Sequence, residues 1–285
     1  MRLIDGTQIA ALVADDLRER IAALTSQHVT PTLAILVVGD DLRTQRYIAA
    51  KQRKAAELGI VVALTTLPGT DPVSVTEQVR AAIDSLNADP AIHGIILQLP
   101  IPLPVDEQEL LDHIAPTKDV DGLTTTSQAA LEAGRELFLP ATPQGILRLL
   151  TAQKLPIADA RIAVVGQGRL VGKPLTAMLR SRGADVVTAD SKTPDLRAVT
   201  KGAAVVVSAA GKAGLITEDM VDDGAVLIDV GLSEVNQRLR GDVTDAAKQK
   251  AALATPVTGG VGPMTVISLL ANVVLAAELA GLRAN

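Results

Sequence analysis

Short apolar runs alternate with longer stretches of helical period along almost the whole chain, and this alternation limits the possible folds more than any other feature. The runs at 32–38, 61–67, 93–99, 161–165, 185–189, 203–207 and 225–230 are rich in Val, Ile and Leu and predict strands. The stretches at 6–24, 44–58, 74–86, 144–153, 173–182 and 263–280 predict helices. Strands that alternate with helices build βαβ units on a mostly parallel sheet. Runs that are apolar throughout, such as Ile95-Ile96-Leu97, suit a sheet covered on both faces. With one Phe, one Tyr and no Trp in 285 residues, the core must come from Val, Ile, Leu and Ala.

The length suits two domains. A polar, turn-rich stretch between Thr117 and Pro143 marks the change, with three or four strands before it and about five after. The expected fold class is therefore α/β in two domains: an N-terminal α/β domain over 1–139 and a Rossmann-like, doubly wound parallel sheet over 140–264. The final helix, 265–285, is expected to pack back on the first domain. The chain has no cysteine, which excludes disulfides, thiolate metal sites and cysteine nucleophiles. His28, His93 and His113 are scattered, with no pair at i, i+4, so no metal site is expected. A net charge of −5 without any Lys/Arg run gives no nucleic-acid footprint. No basic start followed by an apolar block marks a secretory signal. The apolar stretch 266–282 is interrupted by Ser268, Asn272 and Glu278 and reads as a core-docked helix rather than a membrane span. The expected setting is cytoplasmic, with neither membrane nor nucleic acid as partner.

The strand at 161–165 runs into Gly166-Gln167-Gly168-Arg169-Leu170-Val171-Gly172-Lys173-Pro174 and then a helix. Glycines here let the backbone turn tightly and approach a pyrophosphate, and the helix N-terminus offers unpaired N–H groups to it. Pro174 fits the first turn of that helix. The spacing G-x-G-x-x-x-G is one residue longer than the usual fingerprint, and an ordinary glycine-rich turn would share it; strand before and helix after favour the ligand. The candidate cofactor residues are Gly166, Gln167, Gly168, Val171, Gly172 and Lys173, then Asp190 and Ser191 after the next strand, and Leu232 after a later one. Asp190 would accept hydrogen bonds from a free ribose 2′-hydroxyl and repel a 2′-phosphate; it reads equally well as a turn-forming aspartate. Small residues at Ser208-Ala209-Ala210-Gly211-Lys212 and Asp229-Val230-Gly231-Leu232 stand where a ribose and a nicotinamide would lie.

Elsewhere, Tyr47 and Lys51 stand at i, i+4 on one predicted helix face. Gln98 is a lone amide in an apolar strand and needs a partner or an open cleft. Lys118-Asp119-Val120-Asp121-Gly122 opens the interdomain stretch, and Gly259-Gly260-Val261-Gly262-Pro263-Met264-Thr265 opens the last helix. Taken singly, each has a bland reading as a helix pair, a strand end, a turn or a connector; together they argue for a site.

On these strings, with Gln98-Leu99-Pro100, Pro140-x-Thr142-Pro143-x-Gly145 and Val171-Gly172-Lys173-Pro174, the chain resembles the bifunctional methylenetetrahydrofolate dehydrogenase/methenyltetrahydrofolate cyclohydrolase family over nearly its whole length. The resemblance implies a catalytic N-terminal domain and a folate cleft between the two domains. It implies that Tyr47 stacks on the folate, that Lys51 is the central catalytic group, that Gln98 bonds it and that Asp121 holds the amino-pyrimidine edge. Leu99, Pro100, Gly262 and Pro263 would line the substrate, and the protein would be a homodimer acting on tetrahydrofolate derivatives. The chemistry fits: nitrogen lone pairs expel a hydride from the methylene bridge, which needs positioning, and water then attacks the methenyl cation, which needs a base. Several positions depart from the family habit. Thr44 replaces Ser, Gln167-Gly168 replaces Arg-Ser, Asp190 replaces His, Ser127 and Ala129 replace Asn and Gly, and Thr258 replaces Pro. NADP is the family's usual cofactor, whereas Gln167 and Asp190 lean toward NAD. A dehydrogenase without the hydrolase step and a non-catalytic dinucleotide-binding protein are the competing readings. A dehydrogenase of another small substrate would call for an acid/base pair near the nicotinamide, and no histidine is placed for it.

Overall fold

A computed structural model describes residues 1–39, 41–235 and 238–284. The chain opens with strand β1 (Arg2–Leu3), helix α1 (Gly6–Ser26), β2 (Thr32–Val38), α2 (Leu42–Leu58), β3 (Val61–Leu67), α3 (Pro72–Ala88) and β4 (Gly94–Leu97). Helices α4 (Glu107–Asp112), α5 (Thr125–Glu132) and α6 (Ala141–Ala152) lead to β5 (Arg161–Val165), α7 (Gly172–Arg180), β6 (Asp185–Ala189), α8 (Leu196–Thr200), β7 (Val205–Ser208) and β8 (Val226–Asp229). The last elements are the hairpin β9 (Ser233–Val235) and β10 (Arg238–Arg240), α9 (Asp245–Lys250), β11 (Leu253–Ala254) and α10 (Val261–Ala284).

The two-part α/β organisation expected from the alternation is present, and each part is built on a parallel sheet. One unit groups Leu12–Ala141 with Val266–Asn285, the other Met1–Ala11 with Thr142–Thr265. The amino-terminal residues thus cluster with the second unit, unlike the expected boundary, because β1 pairs in parallel with β11.

In the first of these units the sheet order is β3-β2-β4. All of β2 after Thr32 and all of β4 are buried, as befits strands covered on both faces. Val75, Val79 and Ile83 of α3 pack on that sheet with Leu36, Ile95 and Leu97. Helix α2 starts where the Asp41 side chain accepts from Thr44 N at 2.9 Å, and it ends at Gly59, whose φ of 81° is open to glycine at little cost. Helix α10 is long and apolar enough to cross a membrane by length and composition, and more than half of that stretch is buried within the protein. Two of its three polar interruptions have partners: Asn272 Nδ2 donates to Val120 O and Leu139 O, both at 2.8 Å, and Glu278 takes a two-pronged ion pair from Arg20 at 2.7 and 2.8 Å, whereas the buried Ser268 hydroxyl has none among the described residues.

The other unit carries a six-stranded sheet of order β1-β11-β8-β7-β5-β6, and β9 and β10 form a separate antiparallel pair. From β5 the chain moves outward to β6 and then returns across the sheet to β7, so its direction reverses between β5 and β7. Open parallel sheets bind ligands at such a reversal, at the carboxyl ends of the strands.

Replacing Asn272 by Ala leaves two inward carbonyls without their donor. The expected loss is about 2–4 kcal/mol of unfolding free energy, read by urea denaturation; a loss under about 0.5 kcal/mol would show that neither bond matters to stability.

Candidate active site

Helix α2 brings Tyr47 and Lys51 to one face, as their spacing predicts. The Tyr47 ring is 49% exposed, whereas Lys51 turns inward and its Nζ donates to Gln98 Oε1 at 3.0 Å. Gln98 follows β4 directly and is fixed at three points. Its backbone N–H bonds Leu36 O at 2.8 Å, its Nε2 donates to Leu99 O at 2.8 Å, and its oxygen is left for the lysine. A lysine ammonium has only donors, so the amide shows it the oxygen, and the Leu99 carbonyl, by holding Nε2, enforces that orientation in either charge state of the amine. The peptide between Leu99 and Pro100 is cis; Leu99 is half-buried and Pro100 exposed.

Asp121 is carried by a loop clamped from several sides. Ile95 N donates to Lys118 O at 2.8 Å, tying the loop to β4. A Cβ on Gly94 would lie 2.7 Å from a Val120 methyl, so only glycine lets the loop come this close. The fully buried Asp119 carboxylate accepts from Leu123 N at 3.1 Å and Thr124 N at 2.9 Å. Burial pushes the Lys51 ammonium below its ordinary range, and the negative charge of Asp121 resists that shift. Burial pushes the Asp121 carboxyl up, with Lys51 pulling it back and Asp119 adding to the rise. Lost hydration outweighs mutual attraction for both groups. Lys51, Gln98 and Asp121 thus form one electrostatically linked set, with Tyr47 one helical turn away.

The glycine-rich turn closes around itself. A Cβ on Gly166, at φ +91°, would meet Ala209 O at 2.4 Å, and a Cβ on Gly172 would meet Gly166 O at 1.8 Å. Gly166 therefore sits at the β5/β7 reversal, and Gly172 opens α7 directly beneath the turn. Val171 caps α7 with no side-chain bond, so no side chain of its own covers the helix end that an anion would approach. Gly168 and Lys173 are exposed, and nothing stands within 4 Å of a Cβ at Gly168. This glycine-lined turn at a helix N-terminus fits a pyrophosphate.

Other candidate residues serve partly different ends. Gln167 turns inward: its Nε2 donates to Val164 O at 3.2 Å and Gly166 O at 3.4 Å, which braces the turn. Asp190 is exposed just after β6, and its Oδ1 accepts from Lys192 N at 2.9 Å, so the turn-forming reading is realised for that oxygen. Ser191 is exposed beside it, and Leu232 is 38% exposed. Gly231 belongs to a packing lock: a Cβ there would lie 2.0 Å from Asp242 Oδ1, and a Cβ on Gly241 would lie 2.0 Å from Asp229 Oδ2. Gly262 is exposed and Pro263 half-buried in the first turn of α10. Sequence reasoning missed Asp119, Asp242 and Asn272 as supports. Asn272 carried the same signal as Gln98, a single amide in an apolar run, whereas nothing in the strings around the two aspartates set them apart.

The tetrahydrofolate dehydrogenase/cyclohydrolase catalytic-domain model matches residues 4–121, and the tetrahydrofolate dehydrogenase/cyclohydrolase NAD(P)-binding-domain model matches residues 140–280. The bifunctional protein FolD of Geobacillus thermodenitrificans is 42% identical over 279 residues, 97% of each chain. The crystal structure of the bifunctional enzyme FolD, methylenetetrahydrofolate dehydrogenase/cyclohydrolase, from Campylobacter jejuni matches with a TM-score of 0.94 at 34% identity, covering 98% of this chain and 99% of that one. The Trypanosoma brucei N5,N10-methylenetetrahydrofolate dehydrogenase-cyclohydrolase, solved with NADP cofactor and inhibitor, matches with a TM-score of 0.91 at 32% identity, covering 98% of both chains. A lysine–glutamine–aspartate set in the unit matched as catalytic, a pyrophosphate cradle in the unit matched as NAD(P)-binding, and these likenesses over nearly the full length lead to one conclusion: the chain belongs to the tetrahydrofolate dehydrogenase/cyclohydrolase family.

Proposed function

We propose that this chain oxidises 5,10-methylenetetrahydrofolate to the 5,10-methenyl compound with a nicotinamide dinucleotide and hydrolyses that product to 10-formyltetrahydrofolate. The observation that carries the reading is the inward Lys51 amine held 3.0 Å from Gln98 Oε1. A non-catalytic dinucleotide binder has no use for a desolvated lysine, and a dehydrogenase alone has little, since hydride loss from a carbon between two nitrogens needs no base. When bound, the nicotinamide supplies the hydride acceptor.

The residues of the chain divide the remaining work. Neutral Lys51 takes a proton from the water that attacks the methenyl carbon and returns it to the departing nitrogen as the ring C–N bond breaks, while the remaining hydroxyl proton is released to solvent as the formyl C=O forms. Gln98 fixes the amine by a single neutral contact that adds no charge. Asp121 binds the amino-pyrimidine edge and sets the Lys51 pKa. Tyr47 offers its exposed ring for stacking, and Leu99, Pro100, Gly262 and Pro263 line the substrate. Gly166, Gly168, Val171, Gly172 and Lys173 receive the pyrophosphate, with Ser191 on the adenosine side and Leu232 on the nicotinamide side. At the ribose, the Asp190 carboxylate favours a free 2′-hydroxyl and opposes a 2′-phosphate, and Gln167 is already engaged within the turn. We assign NAD use alongside NADP, the cofactor named for the trypanosomal relative. A homodimer in the cytoplasm is part of the same proposal and rests on the family resemblance.

A spectrophotometric assay with methylenetetrahydrofolate and each nicotinamide in turn tests the first half of this reading. Lys51→Met is expected to abolish hydrolysis of the methenyl compound; turnover like the wild type would remove Lys51 from the mechanism. Because burial lowers the Lys51 pKa and Asp121 holds it up, hydrolysis should rise with pH as the amine loses its proton. In Asp121→Asn that ascending limb should move to lower pH, whatever the change in maximal rate; a limb displaced to higher pH would contradict the coupling. Asp190→Ser should raise NADP use relative to NAD, by about 1 kcal/mol or fivefold for one repulsion removed at an exposed site, read as the ratio of kcat/KM values. An unchanged ratio would make Asp190 a turn residue only.

A further inference from the structure

The buried Asp242 carboxylate has no part in the chemistry above, yet it accepts from four donors. We propose that Asp242 is a positioning residue: it shapes the 208–212 loop into the wall that receives the nicotinamide half of the dinucleotide. This rests on the enzymatic reading just given.

The sheet order gives the place. The pyrophosphate cradle lies at the end of β5, and Asp190, on the adenosine side, follows β6. The neighbours of β5 on its other side are β7 and then β8, so the second half of a dinucleotide extends over the ends of β7 and β8. The first loop it meets there is 208–212, which leaves β7 and touches the cradle, since Ala209 O is the atom that excludes a side chain at Gly166.

The shape of that loop depends on one carboxylate. Asp242 is 0% exposed. Its Oδ2 accepts from Ser208 Oγ at 2.9 Å, Ala210 N at 2.8 Å and Gly211 N at 3.2 Å, and its Oδ1 accepts from Lys212 N at 2.7 Å. Successive inward N–H groups make a concave anion seat, here filled by the protein's own anion. In a trans peptide the carbonyl points opposite the N–H. With the N–H groups of Gly211 and Lys212 turned inward, the carbonyls of Ala210 and Gly211 point away from Asp242. Gly211 O already accepts from Ser233 Oγ at 2.9 Å. Ala210 is exposed, so its carbonyl is turned outward as an acceptor at the surface. An outward carbonyl suits the carboxamide N–H₂ of a nicotinamide, and by the sheet order the adenosine half lies on the other side of β5, over β6. Asp242 is itself held in place, because its N–H donates to Asp229 Oδ1 at 2.8 Å and Lys248 Nζ pairs with Asp229 Oδ2 at 2.7 Å.

The experiment compares wild type, Asp242→Asn and Ser208→Ala as full chains by calorimetry. Each is titrated with NADP, NAD and the adenosine-side fragments 2′,5′-ADP and ADP. Asparagine keeps one acceptor oxygen and sets an N–H₂ against backbone donors, so Asp242→Asn should weaken the dinucleotides about tenfold and the fragments less than about twofold. Ser208→Ala removes a single donor and should weaken the dinucleotides about threefold with the same selectivity; it decides the matter alone if Asp242→Asn does not fold. Equal losses for dinucleotide and fragment, or no loss for either, would overturn the proposal while leaving the enzymatic reading intact. A wild type that binds neither dinucleotide would overturn both.

Discussion

Backbone N–H groups in the loops that leave a buried sheet must find acceptors away from water, and in both units an aspartate supplies them. Asp119 takes the N–H groups of Leu123 and Thr124 beside the segment that carries Asp121. Asp242 takes those of Ala210, Gly211 and Lys212 beside the cradle of Gly166 and Gly172. Neither carboxylate touches bulk water. Each turns a loop that would otherwise fluctuate into a surface of fixed outline, and the first of these loops carries Asp121.

The electrostatics of the Lys51–Gln98–Asp121 set follow from the same shortage of water. Lys51 and Asp121 are opposite charges, and in solvent both would stay ionised. Burial moves each toward its neutral form, and their attraction restores only part of the loss. A charged partner in place of Gln98 would tilt that balance: a carboxylate would lock the amine as ammonium, and a cation would expel it. A neutral amide whose N–H₂ is already committed to Leu99 O orients the lysine without deciding its charge.

Much of this was written in the residue pattern. The runs at 32–38, 61–67, 161–165 and 185–189 became strands with those limits, because strings rich in β-branched residues suit a pleated sheet. Gln98 stood out because one amide among Ile and Leu demands a partner. By contrast, β1 and β11 are two residues each and owe their form to their neighbours, so no period reveals them. The placing of Met1–Ala11 with the second unit was hidden for the same reason. Gln167 read as a ligand residue by its position alone, and only the geometry shows its amide spent on Val164 O and Gly166 O. Nothing in the string around Asp242 marked it; the glycine before it is there to make room for the carboxylate of Asp229.

The paired glycine seats have a further implication for how this region tolerates change. Gly231 accommodates the carboxylate of Asp242, and Gly241 that of Asp229, so the segment between them is pinched shut at its base by four residues. What projects beyond, strands β9 and β10, is largely exposed and contributes nothing to the pinch. Apart from Ser233, whose Oγ donates to Gly211 O at 2.9 Å, length and sequence in that projection are therefore free to drift without disturbing the loop at 208–212. Chains built on this plan can keep their chemistry constant while revising the part that meets the outside.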